Sequence, residues 1–147
     1  MSTRTHMHEE VFPVDSTTLF RVLHTPSAVR CWWGAASVII VPEVGGKFVA
    51  AWGANEDAPD YVTVATISVF EPESRIVMVD HYYTGKDGPL PFKADFVVEF
   101  VVEPHSSGAL LRVIQSGFPG GPEADAHYAA CETGWKDTFA GIRDYLK

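Results

Sequence analysis

Basic residues are scarce in this sequence: 11 Lys and Arg stand against 19 Asp and Glu, a formal net charge of -8, and nowhere do they form a run. A protein that neutralises phosphates needs a basic patch, so nucleic acid and anionic membrane surfaces are excluded as partners. Apolar runs are short. None approaches the ~20 residues that span a bilayer, and the opening MSTRTHMHEE has no signal-peptide core, so no membrane insertion is expected. Cysteine occurs only twice, at Cys31 and Cys131, too few for a disulfide framework. Two free thiols place the chain in a reducing, cytoplasmic compartment. Also missing are a phosphate loop, a nucleophile elbow, a Ser-His-Asp spacing, an internal repeat and any low-complexity linker. The pairs Gly45–Gly46 and Gly120–Gly121 read as turns.

The 147 residues suit one domain, 1–147, able to bury roughly 70% of its unfolded surface. The clearest periodic stretch is the last, PEADAHYAACETGWKDTFAGIRDYLK (122–147). Tyr128, Cys131, Trp135, Phe139, Ile142 and Leu146 recur at steps of three or four, one stripe of a long helix. Trp135 reads as its keystone. Gly134 and Gly141 inside that helix each cost ~1 kcal/mol against Ala, which points to close packing on the backbone.

Before it the chain reads as a strand at 3–12, then two short helices. Asp15 caps the first, with Leu19, Phe20 and Leu23 on one face, and Pro26 opens the second, which stops at Gly34. Six β-branched and aromatic runs follow: 37–41, 47–52, 61–70, 75–83, 93–103 and 109–116. Short turns between them, and a longer loop TGKDGPLP, pair them antiparallel. The expected fold is α+β, a seven-stranded antiparallel sheet wrapped around a long C-terminal helix, with two short helices after the first strand. Such a helix seldom fills the space beneath it, so a ligand cavity is expected there.

CWWGA (31–35) after DSTTLFRVLHTP, PEVGGKF (42–48), ATISVFEPESRIVMV (65–79), SGFPGGPEADAH (116–127) and GWKDTFAGIRDYL (134–146) together carry a resemblance over nearly the whole chain. They resemble the START-like (SRPBCC, helix-grip) superfamily, and within it homologues of the C-terminal domain of the heat-shock-protein-90 ATPase activator. The resemblance implies the helix-grip fold. For function it implies several classes, among them lipid carriers, hormone receptors, ring-closing enzymes and co-chaperone domains. The full co-chaperone has a further N-terminal domain, for which these residues leave no room. Gln115 stands where many relatives carry His, and Asp80 where many carry an aromatic residue.

Candidate ligand-binding residues follow from aromatic content and strand parity. Trp32, Trp33, Trp52, Tyr82, Phe118, Tyr128 and Trp135 are candidate walls, against the plainer reading of core packing. In 93–103 parity puts Asp95, Glu99 and Glu103 on one face and Phe96, Val98, Phe100 and Val102 in the core. In 109–116 an outward Arg112 sends Leu111, Val113 and Gln115 inward, making Gln115 a candidate hydrogen-bonding group. The run RIVMVDHYY leaves two alternatives: Met78, Asp80 and Tyr82 inward, which the resemblance favours, or Val79, His81 and Tyr83 inward. An inward Asp80 near Gln115 would handle protons or bind a hydroxyl. His127 lies near the expected mouth of the cavity. His6 and His8 share one strand face, but no third ligand stands at zinc spacing, so no metal and no cofactor are expected.

The leading function is therefore binding of a small hydrophobic or aromatic molecule. A cyclase- or hydratase-type enzyme using the same cavity, with Asp80, His81 or Gln115 handling protons, is one alternative. A co-chaperone-like interaction module is another, and a homodimer stays open.

Overall fold

The structure is a computed structural model that describes residues 3–86, 88 and 90–147. Met1 and Ser2 of the opening segment, and Asp87 and Pro89 of the 84–91 loop, lie outside the described residues. The elements run β1 (Thr3–Phe12), α1 (Ser16–Val22), α2 (Pro26–Trp33), β2 (Ser37–Ile40), β3 (Lys47–Trp52), β4 (Tyr61–Glu71), β5 (Arg75–Gly85), β6 (Val97–His105), β7 (Gly108–Pro119), a 3-10 turn (Pro122–Ala124) and α3 (Asp125–Tyr145). All seven strands form one antiparallel sheet in the order β1-β7-β6-β5-β4-β3-β2. Every pairing but β1–β7 is between chain neighbours, as short turns dictate. The expected α+β helix-grip fold is the observed one, with β1 on an edge.

Local chemistry accounts for the boundaries. Asp15 accepts the Thr18 backbone N–H at 2.7 Å and so caps α1. Pro26 starts α2, and Gly34 ends it in the left-handed conformation (φ 71°), which costs glycine nothing. The last strand but one begins at Val97, four residues later than the apolar run, because Lys93 to Phe96 pair with no neighbouring strand.

The core lies between one sheet face and the three helices. Phe12, Leu19, Leu23, Val29, Ile67, Ile76, Leu111, Val113 and Ile142 are fully buried in it, each side chain contributing about 1.5–3 kcal/mol by leaving water. Phe96, Val98, Phe100 and Val102 point inward as alternation requires, while Arg112 points out and pairs with Glu9 and Glu103. Across the β4–β5 pair the alternation is broken twice: Ser68 is one extra residue of β4, and Asp80 and His81 of β5 together face the single residue Ala65 of β4, one extra residue on that side. Asp80 takes φ 51°, a left-handed conformation in which Asp is one of the few tolerated residues.

A cavity between the sheet and the last helix

Behind α3 the sheet encloses a cavity of about 230 Å³. Trp32 and Trp33 from α2, Phe48 and Trp52 from β3, Ala65 from β4, and Phe96, Val98 and Phe100 from the β6 side supply apolar wall. His127, Cys131 and Trp135 close it from α3. The indoles are pinned. Trp32 Nε1 donates to the Val22 carbonyl at 2.8 Å, and Trp52 Nε1 donates to the Trp33 carbonyl at 3.3 Å. Trp33 and Trp52 meet edge to face at 4.9 Å, a favoured aromatic geometry. A larger depression, about 530 Å³, lies over the 53–59 loop, but it is somewhat more open to solvent and has a much more polar wall. It lacks the apolar enclosure that retains a ligand.

Few polar groups reach the cavity: Thr63, His81, Tyr83, Gln115 and His127, with the Cys131 thiol. Gln115 Oε1 accepts the Trp135 Nε1–H at 2.6 Å, which fixes both side chains. His81 Nε2–H donates to the Met78 carbonyl at 3.2 Å. Burial lowers the His81 imidazole below its ordinary 6.5, opposed in part by that hydrogen bond and by the Asp80 and Asp95 carboxylates. Burial alone lowers His127, which sits among Phe92, Phe96 and Phe118. Both rings are thus neutral at pH 7, each able to take a proton. His127 Nε2 lies 3.5 Å from Cys131 Sγ, and burial pushes that thiol up to about 11. Cys31 is exposed, and both cysteines are free.

Of the residues expected from sequence, Trp32, Trp33, Trp52, Met78, Gln115, His127 and Trp135 come together on this cavity. Four do not. The inward set Met78, Asp80 and Tyr82 is corrected: the bulge resets the alternation after Met78, so His81 and Tyr83 turn in while Asp80 and Tyr82 face solvent, Tyr82 62% exposed. A proton-handling Asp80 beside Gln115 is therefore not assembled. Phe118 is fully buried one layer away, edge-on to Phe96 and His6. Tyr128 stacks on His6 at 4.0 Å, on the β1 side of α3. Phe48 and Thr63 are not singled out by the sequence, because a core residue and a wall residue have the same strand pattern, and Leu90 is not because it lies in a loop with no periodicity.

The chain resembles known proteins along its whole length. No match is found among the curated proteins. Among solved structures, protein MLL2253 from Mesorhizobium loti superposes with a TM-score of 0.79 at 23% identity, covering 97% of this chain and 96% of that one. CV1439 from Chromobacterium violaceum gives 0.72 at 17% identity, with 97% and 96% covered. DynU16, from the dynemicin biosynthetic locus, gives 0.75 at 15% identity, and this chain covers 97% of itself but 46% of that larger one. Likeness at such identities establishes the fold alone. A family match is more specific, and here it takes in α1 through the end of α3. By that match over residues 13–147, the chain belongs to the family described as activator of Hsp90 ATPase homolog 1-like protein.

Proposed function

We propose that this protein binds a small, mostly apolar or aromatic molecule in the cavity between sheet and α3. The observation that carries this reading is the cavity itself: an apolar enclosure with four indoles in its wall and a few converging polar groups. At about 230 Å³ it falls just below the roughly 300–1,000 Å³ of drug-sized pockets, so the ligand is small. Gln115, His81 and His127 offer a hydroxyl, carbonyl or ring nitrogen one or two hydrogen bonds, enough to orient it.

An enzymatic reading is second, favoured by His81 and His127. Two neutral imidazoles facing one apolar space are suited to move a proton on a bound substrate, as a cyclase or dehydratase would require. Its fold relative in a biosynthetic locus agrees with that reading without naming a reaction.

An apolar fluorescent dye tests the proposal. It should bind with a Kd of about 1 μM, worth ~8 kcal/mol, and quench tryptophan emission. Ala65 lines the cavity and is buried, so Ala65→Trp should fill the space, abolish dye binding and leave unfolding cooperative. In a solid core the same change costs ~1–3 kcal/mol or more. No dye binding to the wild type, with Ala65→Trp only destabilising, would sink both readings and leave protein interaction. A bell-shaped pH–rate profile on a candidate substrate, lost in His81→Gln, would move the assignment from carrier to enzyme.

A further inference from the structure

Edge strand β1 and helix α3 are joined along their length by polar side chains. Arg4 pairs with Asp125 at 2.8 Å, and Glu10 accepts two N–H groups of Arg143, each at 2.8 Å. Between these two ordinary ion pairs sits a different group. Strand alternation puts His6 and His8 on the helix side, and α3 brings Glu132 to them. His6 Nδ1 lies 2.9 Å from Glu132 Oε2, and His8 Nε2 lies 3.4 Å from that same oxygen. The three atoms are all within 4.8 Å of one another.

The remaining contacts of each residue restrict what the group can do. His6 is 3% exposed, and its ring is held between Tyr128, stacked at 4.0 Å, and Phe118, edge-on at 5.1 Å. Its Nε2 faces the Tyr128 carbonyl at 2.8 Å, and a carbonyl only accepts, so Nε2 carries the hydrogen. That is how proteins orient a metal-binding imidazole: one nitrogen donates to the main chain and the other is turned to the ion. His8 Nε2 is buried and makes no hydrogen bond, the only such side-chain nitrogen or oxygen among the described residues. A buried polar atom without a partner is costly unless something else supplies one. Glu132 is 43% exposed, which gives an ion a way in. Lys136 lies 3.6 Å from its other oxygen, Oε1, leaving Oε2 for the histidines.

We infer that His6 Nδ1, His8 Nε2 and Glu132 Oε2 bind one divalent transition-metal ion of the zinc class, with water completing its shell. Two imidazole nitrogens and a carboxylate suit Zn²⁺, Co²⁺, Ni²⁺ or Cu²⁺ rather than the all-oxygen preference of Ca²⁺ and Mg²⁺. Bonds of about 2.0–2.1 Å in a tetrahedral shell space the donors about 3.4 Å apart. The His8–Glu132 pair has that spacing, the half-exposed Glu132 has room to widen the His6–Glu132 pair from 2.9 Å, and the third pair, His6 Nδ1 and His8 Nε2, lies within 4.8 Å and closes on the ion. Phe118 stands between His6 and the cavity-lining His127, 5.1 and 6.0 Å from the two rings. The ion thus ties an edge strand to the helix and does not reach the cavity's contents.

Titrating chelator-treated protein with Co²⁺ tests this, read by visible absorption and by melting temperature, with Zn²⁺ as competitor. One Co²⁺ per chain is expected, displaced by Zn²⁺, with a higher melting temperature in either ion. Glu132→Gln and His8→Gln should each weaken binding at least about 100-fold, since losing a mere orienting partner already costs 10–100-fold. Glu132 is half-exposed, so its variant folds, as circular dichroism will verify. His105→Gln, at the exposed end of β6, should change nothing. Failure of the wild type to bind either ion would overturn the site. So would binding that survives both ligand substitutions, or that is lost with His105.

Discussion

The two halves of α3 carry the same apolar stripe but bury different things. Beyond Asp137, Thr138, Phe139 and Ile142 are buried, and the helix backbone at Gly141 lies against the Trp32 carbonyl. From Asp125 to Asp137 no residue is fully buried, although His127, Tyr128, Cys131 and Trp135 continue the stripe. One half buries its stripe among core side chains. The other faces a ring of aromatic side chains that enclose space without filling it, and on its β1 flank the histidine pair. Amphipathic spacing decides which way a side chain points, and the opposing surface decides whether it finds a core or a cavity.

The sharpest test of the contrast is truncation in the packed half. Phe139→Ala should cost ~3–5 kcal/mol in denaturant unfolding, as buried aromatics do. Trp135→Ala, in the half-buried position, should cost less, about 2 kcal/mol, most of it lost contact and the hydrogen bond to Gln115. Equal costs would erase the distinction.

The helix glycines give a smaller effect of opposite sign. A methyl at Gly141 would overlap the Trp32 carbonyl oxygen, so Gly141→Ala should destabilise by ~1–3 kcal/mol. Gly134 has nothing near its missing side chain, so Gly134→Ala should stabilise by up to ~1 kcal/mol through helix propensity. The expectation that both glycines mark close packing holds for Gly141 and fails for Gly134, which borders the open half.

Acid should weaken the cavity half. His81 and His127 are held below 6.5, chiefly by burial, so the unfolded chain binds their protons more readily than the folded one. Their contribution is complete above about pH 6.5 and is lost progressively as pH falls through the folded values. His81→Gln and His127→Gln together should flatten that part of the stability–pH curve. The smallest effect is kinetic. Cys31 is exposed and Cys131 has a thiol pushed up to about 11, so in the native protein an alkylating reagent should label Cys31 first. An apolar ligand in the cavity should slow Cys131 further and leave Cys31 unchanged.

Much of this was legible in residue order, and the misses have specific causes. Phe96, Val98, Phe100 and Val102 could be assigned inward because Asp95, Glu99 and Glu103 occupy the alternate positions. No such contrast exists in RIVMVDHYY, which is apolar on both faces: parity leaves two alternatives there, and the one the resemblance favours puts Asp80 and Tyr82 on the wrong side. The only sign of the bulge was an Asp in mid-strand, tolerant of φ 51°. His6 and His8 were legible as a pair. Glu132 could not be joined to them, because a carboxylate on a helix looks the same whether it meets water or imidazole.

Local sequence thus determined the order of elements, the caps at Asp15 and Gly34, the antiparallel pairing and the stripe on the last helix, since each depends on neighbours a few residues apart. Only the tertiary structure decided that seven of the candidate side chains converge on one cavity, that His81 and Tyr83 replace Asp80 and Tyr82 at its wall, and that a glutamate of α3 completes a group begun on β1. The reason is distance along the chain. Burial, pKa and ligand geometry are set by atoms within about 4–6 Å in space, and here many of those atoms come from segments far apart in the sequence, those of β1 and α3 from its two ends.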